Sequence, residues 1–169
     1  MSGGHATGGP AIRPMLVRGY TEFSRHVAML IEHSRTNVAI LTYELDPRLY
    51  ASDEIVDGFK RFCLSHQRAR ARILVNQPGR TVKRSNALID IARMIPSRAE
   101  IRQLNEDDVA VEREFVVGDN RCLLYKDRYD QMDARWFEDA PLDALLRLKD
   151  FDALWERSLP AREFTTLGI

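Results

Sequence analysis

Three acidic residues close to a predicted turn are the first candidates for chemistry in this sequence. Glu112 and Glu114 are separated by one residue, and Asp119 follows five residues after Glu114. If this segment is extended, Glu112 and Glu114 share one face of a strand, because alternate residues of a strand point to the same side. Together with Asp119 they could hold a metal ion or act as an acid/base pair.

The competing interpretation of these carboxylates is structural, and the pattern favours it. Glu112 and Glu114 would form the polar, exposed face of a strand whose other face carries Phe115 and Val117. No histidine is close in sequence to supply the mixed ligand set typical of a transition metal. The sequence therefore predicts no metal and no cofactor here.

A second group of candidates lies where two predicted strands end. Glu44 and Asp46 follow an apolar run, and Asn76 closes the next predicted strand. Ligands of open α/β sheets gather outside the carboxyl ends of strands, so these three residues are the candidates for a binding pocket. The alternative, which we favour, is that Asp46 shapes the turn before Pro47 and Asn76 caps its strand.

Charge is segregated along the chain. Residues 60–89 contain basic residues and no acidic one, whereas acidic residues dominate residues 100–119. The candidate basic patch consists of Arg68, Arg70, Arg72, Arg80, Lys83 and Arg84. Such a surface could bind phosphate or nucleic acid. No aromatic residue is interleaved with these basic residues, which argues against a site for single-stranded nucleic acid. We favour the alternative that the basic side chains are solvated or pair with the acidic segment, in the same molecule or in a second subunit.

Composition excludes several classes of protein. The chain has 169 residues and equal numbers of basic and acidic residues, 25 each, so net charge points to no partner. No apolar run is long enough for a membrane span, and the Gly-rich N-terminus does not resemble a signal peptide. Cys63 and Cys122 lie among apolar residues, which is typical of reduced, buried thiols. We therefore expect a cytoplasmic protein.

Periodicity predicts that helices and strands alternate along the chain. The predicted helices cover residues 20–34, about 52–63, 85–95 and 141–155, and the predicted strands cover residues 37–45, 72–76 and 100–104. A hairpin follows within residues 109–126, with Gly118-Asp119-Asn120 as its turn. This order predicts an α/β fold with a mixed, mostly parallel sheet and helices on both faces. Residues 1–17 and 160–169 are predicted to be tails around a domain of residues 18–159.

Several segments give the chain a resemblance to one half of a phospholipase D-like protein, over residues 18–155. They are NVAILTYELDPRLY, ARILVNQP, NALIDIARMIPS with EIR after it, FVVGDNRCLLY and FDALWERS. The sequence most resembles uncharacterised bacterial phospholipase D-like domains that occur alone or attached to acetyltransferases. The resemblance implies the fold of such a half and, for half-length relatives, a homodimer.

The resemblance also implies where catalytic residues should lie. Catalytic members carry His-x-Lys-x4-Asp at the hairpin: the histidine attacks phosphorus, the lysine stabilises the phosphoryl charge, and a histidine from a second copy protonates the leaving group. Alignment on Asp119 places Glu112 at the histidine position and Glu114 at the lysine position. A carboxylate at either position repels a phosphodiester.

The sequence therefore predicts a phospholipase D-like domain without phosphodiesterase activity, which acts as an interaction or ligand-binding module and forms a homodimer. Two alternatives remain open. The chain could bind nucleic acid or a phosphate ligand through its basic segment, or it could be a divergent hydrolase that uses a metal at Glu112, Glu114 and Asp119.

Overall fold

The computed structural model describes residues 13–82 and 86–165, which form one sheet with helices on both faces. The strands are β1 (Met15–Arg18), β2 (Asn37–Thr42), β3 (Arg70–Val75), β4 (Ala99–Gln103), β5 (Glu114–Gly118), β6 (Cys122–Lys126), β7 (Asp133–Phe137) and β8 (Leu159–Pro160). The helices are α1 (Gly19–His33), α2 (Pro47–Tyr50), α3 (Asp53–Ser65), α4 (Pro78–Val82), α5 (Ala87–Met94), α6 (Pro141–Arg157) and α7 (Arg162–Thr165), with a 3-10 turn at Glu106–Asp108.

The α/β class with a mixed sheet is confirmed, but the expectation of a mostly parallel sheet was wrong. The strand order is β1-β7-β6-β5-β2-β3-β4-β8. Only the pairs β2–β3 and β3–β4 are parallel in the described part of the chain, and the other five pairs are antiparallel. Four of these antiparallel pairs lie on the hairpin side of the sheet, where β5 pairs with β2 and β6, and β7 pairs with β6 and β1. The fifth pairs β8 with β4.

The strands begin and end along two opposite edges of the sheet. The carboxyl edge is where β2, β3, β4 and β6 end and where β5 and β7 begin. The amino edge is the opposite one, where β2, β3 and β4 begin and where the turn between β5 and β6 lies. Each strand in the parallel part is about 17 Å long, which separates the two edges.

Two cores cover the faces of the sheet. Helices α1, α3 and α5 pack on one face through residues such as Phe23, Phe59 and Ile91, which meet Ile40 and Ile73 of the strands. Helix α6 covers the other face alone, through Ala144, Leu148, Phe151 and Leu154. β2 and β5 are buried on both sides, which explains their continuous apolar runs.

Local signals set several of the boundaries. Ser52, where the predicted helix of residues 52–63 begins, is the N-cap of α3 and accepts a hydrogen bond from the N–H of Ile55 at 3.3 Å. Pro141 occupies the first turn of α6. Asp119 and Asn120 have φ of 49° and 59°, a conformation that Asp and Asn tolerate in turns.

The ends of the chain contain structure that the sequence pattern did not predict. β1 lies inside the segment predicted as the N-terminal tail, and β8 and α7 lie in or beside the predicted C-terminal tail. β7 lies between the predicted hairpin and the predicted helix of residues 141–155, where no strand was predicted. None of the helices in residues 13–82 and 86–165 combines the length and apolar character needed to cross a bilayer.

Candidate functional site at the carboxyl edge of the sheet

Glu114, which the resemblance aligns with the motif's lysine, is buried at the start of β5. Glu114 is only 2% exposed to solvent. Its carboxylate accepts a hydrogen bond from the N–H of Tyr43 at 2.9 Å and one from the hydroxyl of Tyr50 at 2.7 Å. The expectation that Glu114 belongs to an exposed polar strand face was therefore wrong, because β5 is covered on both sides.

Lys126 supplies the opposite charge from the neighbouring strand. It pairs directly with Glu114 in the register of the β5–β6 hairpin, and it is also 2% exposed. Its ammonium group lies 4.6 Å from the centroid of the Phe23 ring, a cation–π contact. A buried charge is tolerated when an opposite charge and hydrogen bonds accompany it.

Burial dominates the protonation equilibria of this cluster. Removal from water raises the pKa of Glu114, although the hydrogen bonds from Tyr43 and Tyr50 and the charge of Lys126 oppose the shift. Burial likewise lowers the pKa of Lys126, against the attraction of Glu114. Burial and the adjacent Glu114 carboxylate raise the pKa of Tyr50 well above its usual range. Each partner therefore helps the other to remain charged in an apolar environment.

Glu112, at the histidine position, lies outside the strand and near the surface. Its carboxylate is 2.9 Å from the guanidinium of Arg128, and its backbone C=O accepts from the N–H of Tyr129 at 2.8 Å. Glu112 and Glu114 therefore do not form a side-by-side pair of carboxylates. One belongs to a half-exposed ion pair and the other to the buried cluster.

Asp119 lies at the amino edge, roughly 16 Å along the hairpin from Glu114. Its carboxylate accepts hydrogen bonds from the N–H groups of Arg35, Thr36 and Asn37, at 2.8 to 3.0 Å. Burial alone would raise the pKa of Asp119, but these N–H groups outweigh it, so the pKa is lowered. Asp119 fastens the hairpin turn to the segment that leads into β2.

The three pocket candidates all lie at the carboxyl edge. Two of them, Asp46 and Asn76, are buried, and their side chains bond to other groups of the protein. Asp46 caps α2 by accepting from the N–H of Arg48 at 2.9 Å, and its carboxylate pairs with the Arg48 guanidinium. The amide of Asn76 donates to the C=O groups of Val109 and Val111. Glu44 is half-exposed and lies 3.5 Å from the guanidinium of Arg80.

A stacked pair of tyrosines occupies the surface between these groups. The rings of Tyr43 and Tyr129 are 3.6 Å apart between centroids and nearly parallel, at 6°. The guanidinium of Arg80 lies 5.4 Å from the centre of the Tyr43 ring. Both tyrosines are half-exposed. The sequence analysis did not single out this pair, because Tyr43 and Tyr129 are 86 positions apart in the sequence.

The three histidines of the described residues lie apart from the carboxyl-edge cluster of Glu114 and Lys126. His26 is buried in α1, where its ring packs at 5.0 Å from that of Trp136. His33 ends α1 and His66 follows α3, which places both at the amino edge. In residues 13–82 and 86–165, no group of three or more His, Cys, Asp or Glu side chains is arranged to hold a metal ion.

The basic segment is divided between the two edges of the sheet. Arg68 and Arg70 lie at the amino edge and are exposed, whereas Arg80 lies at the carboxyl edge beside Glu44. Arg72 points to the α6 face, where it pairs with Asp152 at 2.8 Å and contacts the Phe151 ring. Lys83 and Arg84 lie outside the described residues.

Comparison with solved structures shows a phospholipase D-like fold. The chain aligns with Nuc from Salmonella typhimurium, a phospholipase D family member, at a TM-score of 0.58 and 14% identity, over 86% of this chain and 97% of Nuc. It aligns with NucT from Helicobacter pylori at a TM-score of 0.61 and 10% identity, over 88% and 98% of the two chains.

A third structure with this fold is TrmBL2, an archaeal chromatin protein, at a TM-score of 0.62 and 16% identity. The alignment covers 90% of this chain and 55% of TrmBL2, so the chain spans about half of that protein. No curated protein matches the sequence. Residues 20–167 match the family described as a domain of unknown function, DUF7931, and the chain belongs to that family.

Proposed function

We propose that this chain is a non-catalytic phospholipase D-like domain that acts as an interaction module, and that its carboxyl edge binds a second copy of the chain. The observation that carries the proposal is that Glu114, which the resemblance aligns with the motif's lysine, is buried with both carboxylate oxygens hydrogen-bonded within the protein. A buried acid at this position cannot stabilise a phosphoryl group, since the two charges repel each other.

The surface above Glu114 has the composition of a protein interface. Tyr and Arg are enriched where proteins meet, and here Tyr43 and Tyr129 stack beside Arg80 and Arg128. Positive and negative groups alternate across this surface, because Arg80 faces Glu44 and Arg128 faces Glu112 and Asp130. The surface thus carries charges of both signs, which a charged patch needs in order to meet its own copy across a two-fold axis.

The oligomeric state tests this interface directly. Light scattering after size-exclusion chromatography should give the mass of a dimer for the unmodified chain at micromolar concentrations. Arg128→Glu should give a monomer, because it places a third acidic residue beside Glu112 and Asp130. Arg25→Glu on the exposed side of α1 is the matched control and should remain dimeric. A monomeric unmodified chain, or equal dissociation of both variants, would remove the proposal.

The divergent hydrolase is less well supported. Its three carboxylates belong to three different environments, since Glu112 pairs with Arg128, Glu114 is buried and Asp119 lies at the opposite edge. A shared metal ion needs its oxygen ligands within about 2.6 Å of one point. The geometry therefore favours the interaction module.

A further inference from the structure

Arg35, Arg68 and Arg70 emerge from one small area of the amino edge. Arg70 is the first residue of β3 and Arg68 lies two residues before it, while Arg35 precedes the first residue of β2 by two. β2 and β3 are neighbours, with Asn37 paired to Arg70 and the N–H of Arg70 donating to the C=O of Thr36 at 3.0 Å. Since neighbouring strands are about 4.8 Å apart, the three arginines belong to one surface.

In the described part of the chain, no acidic side chain forms an ion pair with these arginines. All three are exposed. Asp119, which lies at this edge, directs its carboxylate to the N–H groups of residues 35–37 instead. Arg70 donates to the backbone C=O groups of Gln67 and Ala69 and keeps its full charge.

The arginines of the opposite edge differ in this respect. Arg48 lies 2.6 Å from Asp46, Arg80 lies 3.5 Å from Glu44, and Arg128 lies 2.9 Å from Glu112. Positive charge at the carboxyl edge is thus balanced locally. At the amino edge, Arg68 and Arg70 beside the start of β3 form no ion pair in the described residues. Their positive charge therefore attracts anions from solution.

The residues around the three arginines are polar and small. Thr36 and Gln67 are exposed, and the side chains of Asn37 and Asn120 are hydrogen-bonded to each other. Residues 33–37, 66–70 and 118–121 contain no Phe, Tyr or Trp. Arg, Thr, Asn and Gln are the side chains that contact phosphate and sugar in nucleic-acid complexes. The lack of aromatic rings removes the stacking that single strands require.

We propose that the amino-edge surface, defined as Arg35, Arg68 and Arg70, binds the phosphate backbone of duplex nucleic acid without reading its sequence. The residues between the arginines include Thr36, Asn37 and Gln67, whose polar side chains can hydrogen-bond to phosphate oxygens. They provide no large apolar side chain that could insert into a bilayer. The surface shares no residue with the proposed dimer interface, so the two proposals can fail separately.

Fluorescence anisotropy with a short labelled DNA duplex of arbitrary sequence tests the surface. With about 0.9 counterions released for each phosphate, three contacts predict that affinity falls roughly 40-fold between about 50 mM and about 200 mM salt. Changing the three arginines to alanine together should weaken binding roughly tenfold or more at the lower salt concentration and remove most of the salt dependence.

The matched control changes Arg13, Arg18 and Arg25 to alanine. These arginines are also exposed and outside any ion pair of the described residues, and the control changes the net charge equally. It should bind the duplex nearly as well as the unmodified chain. If the loss of Arg70 disturbs the fold, as thermal melting would show, the double variant Arg35→Glu with Arg68→Glu replaces the triple variant.

Three results would overturn the proposal. The first is a lack of duplex binding by the unmodified chain at low salt. The second is an equal loss of binding in the control variant, which would show that only net charge matters. The third is tighter binding to vesicles that contain phosphatidylserine than to the duplex, which would identify the surface as a membrane contact.

Discussion

Glu114 lies directly opposite Lys126 in the central hairpin, so that a buried acidic residue and a buried basic residue face each other across two strands. Glu114, which the resemblance in sequence aligns with the motif's lysine, is thus buried beside a lysine of its own chain. The hydrogen bonds from Tyr43 and Tyr50 tie this acid to β2 and α2. The cluster holds the hairpin, β2 and α2 together at the carboxyl edge.

Removing the acid should be costly for stability. Glu114→Ala leaves Lys126 buried without its opposite charge, and the loss of one member of a buried pair costs about 3–5 kcal/mol. Urea unfolding followed by circular dichroism measures this loss. The double variant Glu114→Ala with Lys126→Met should be more stable than Glu114→Ala alone, because no unpaired charge remains. The single variant Lys126→Met completes the comparison. If the loss of stability in the double variant equals the sum of the losses in Glu114→Ala and Lys126→Met, the two residues do not interact.

Asp119 should make stability depend on acid in a particular direction. Its pKa is lowered from 3.8 in the folded chain, so its contribution to the free energy of unfolding is present above pH 3.8 and is lost as the pH falls through the lowered pKa. Asp119→Asn should therefore be less stable than the unmodified chain near neutral pH and should approach it in acid. Urea unfolding at a series of pH values measures this difference. A gap that stays constant down to the lowest pH would contradict the role of the carboxylate charge.

Gly118 should not tolerate a side chain. A Cβ atom at this position would lie 2.4 Å from the Ser34 hydroxyl oxygen and 2.8 Å from a methyl carbon of Leu30. Gly118→Ala forces the end of α1 away from the hairpin, and such overpacking costs about 1–3 kcal/mol. Thermal unfolding measures the loss. Gly79→Ala is the control, because no atom lies within 4 Å of its Cβ position, and a similar loss in both variants would argue against the close approach.

The sequence correctly predicted those helix starts and turns that depend only on residues close together in the chain. Ser52 caps α3 because its hydroxyl can reach a free N–H group, and the turn at Gly118-Asp119-Asn120 forms because these residues accept a left-handed backbone. β7 was not predicted, although Ala134 and Trp136 face inward in alternation, because charged residues interrupt so short a strand. The parallel sheet was overestimated because the order of elements does not determine that β5 pairs with β2.

The pairing of Glu114 with Lys126 in the hairpin register could have been predicted from the sequence. A hairpin that turns at residues 119–121 places Glu114 opposite Lys126 by register alone, and opposite charges on facing strands stabilise each other. The hydrogen bond from Tyr50 was not predictable in the same way, because it depends on the path of the chain after β2. The tyrosine stack depends equally on contacts that are distant in sequence.

A phosphodiesterase assay of the purified chain with bis(p-nitrophenyl) phosphate, with and without divalent cations, tests whether the domain is non-catalytic. We expect no hydrolysis above background under either condition, and the same result for Glu114→Gln, since the Glu114 carboxylate is bonded within the protein and faces Lys126. Hydrolysis by the unmodified chain that Glu114→Gln abolishes, while the variant retains its fold, would contradict the claim that this domain is non-catalytic.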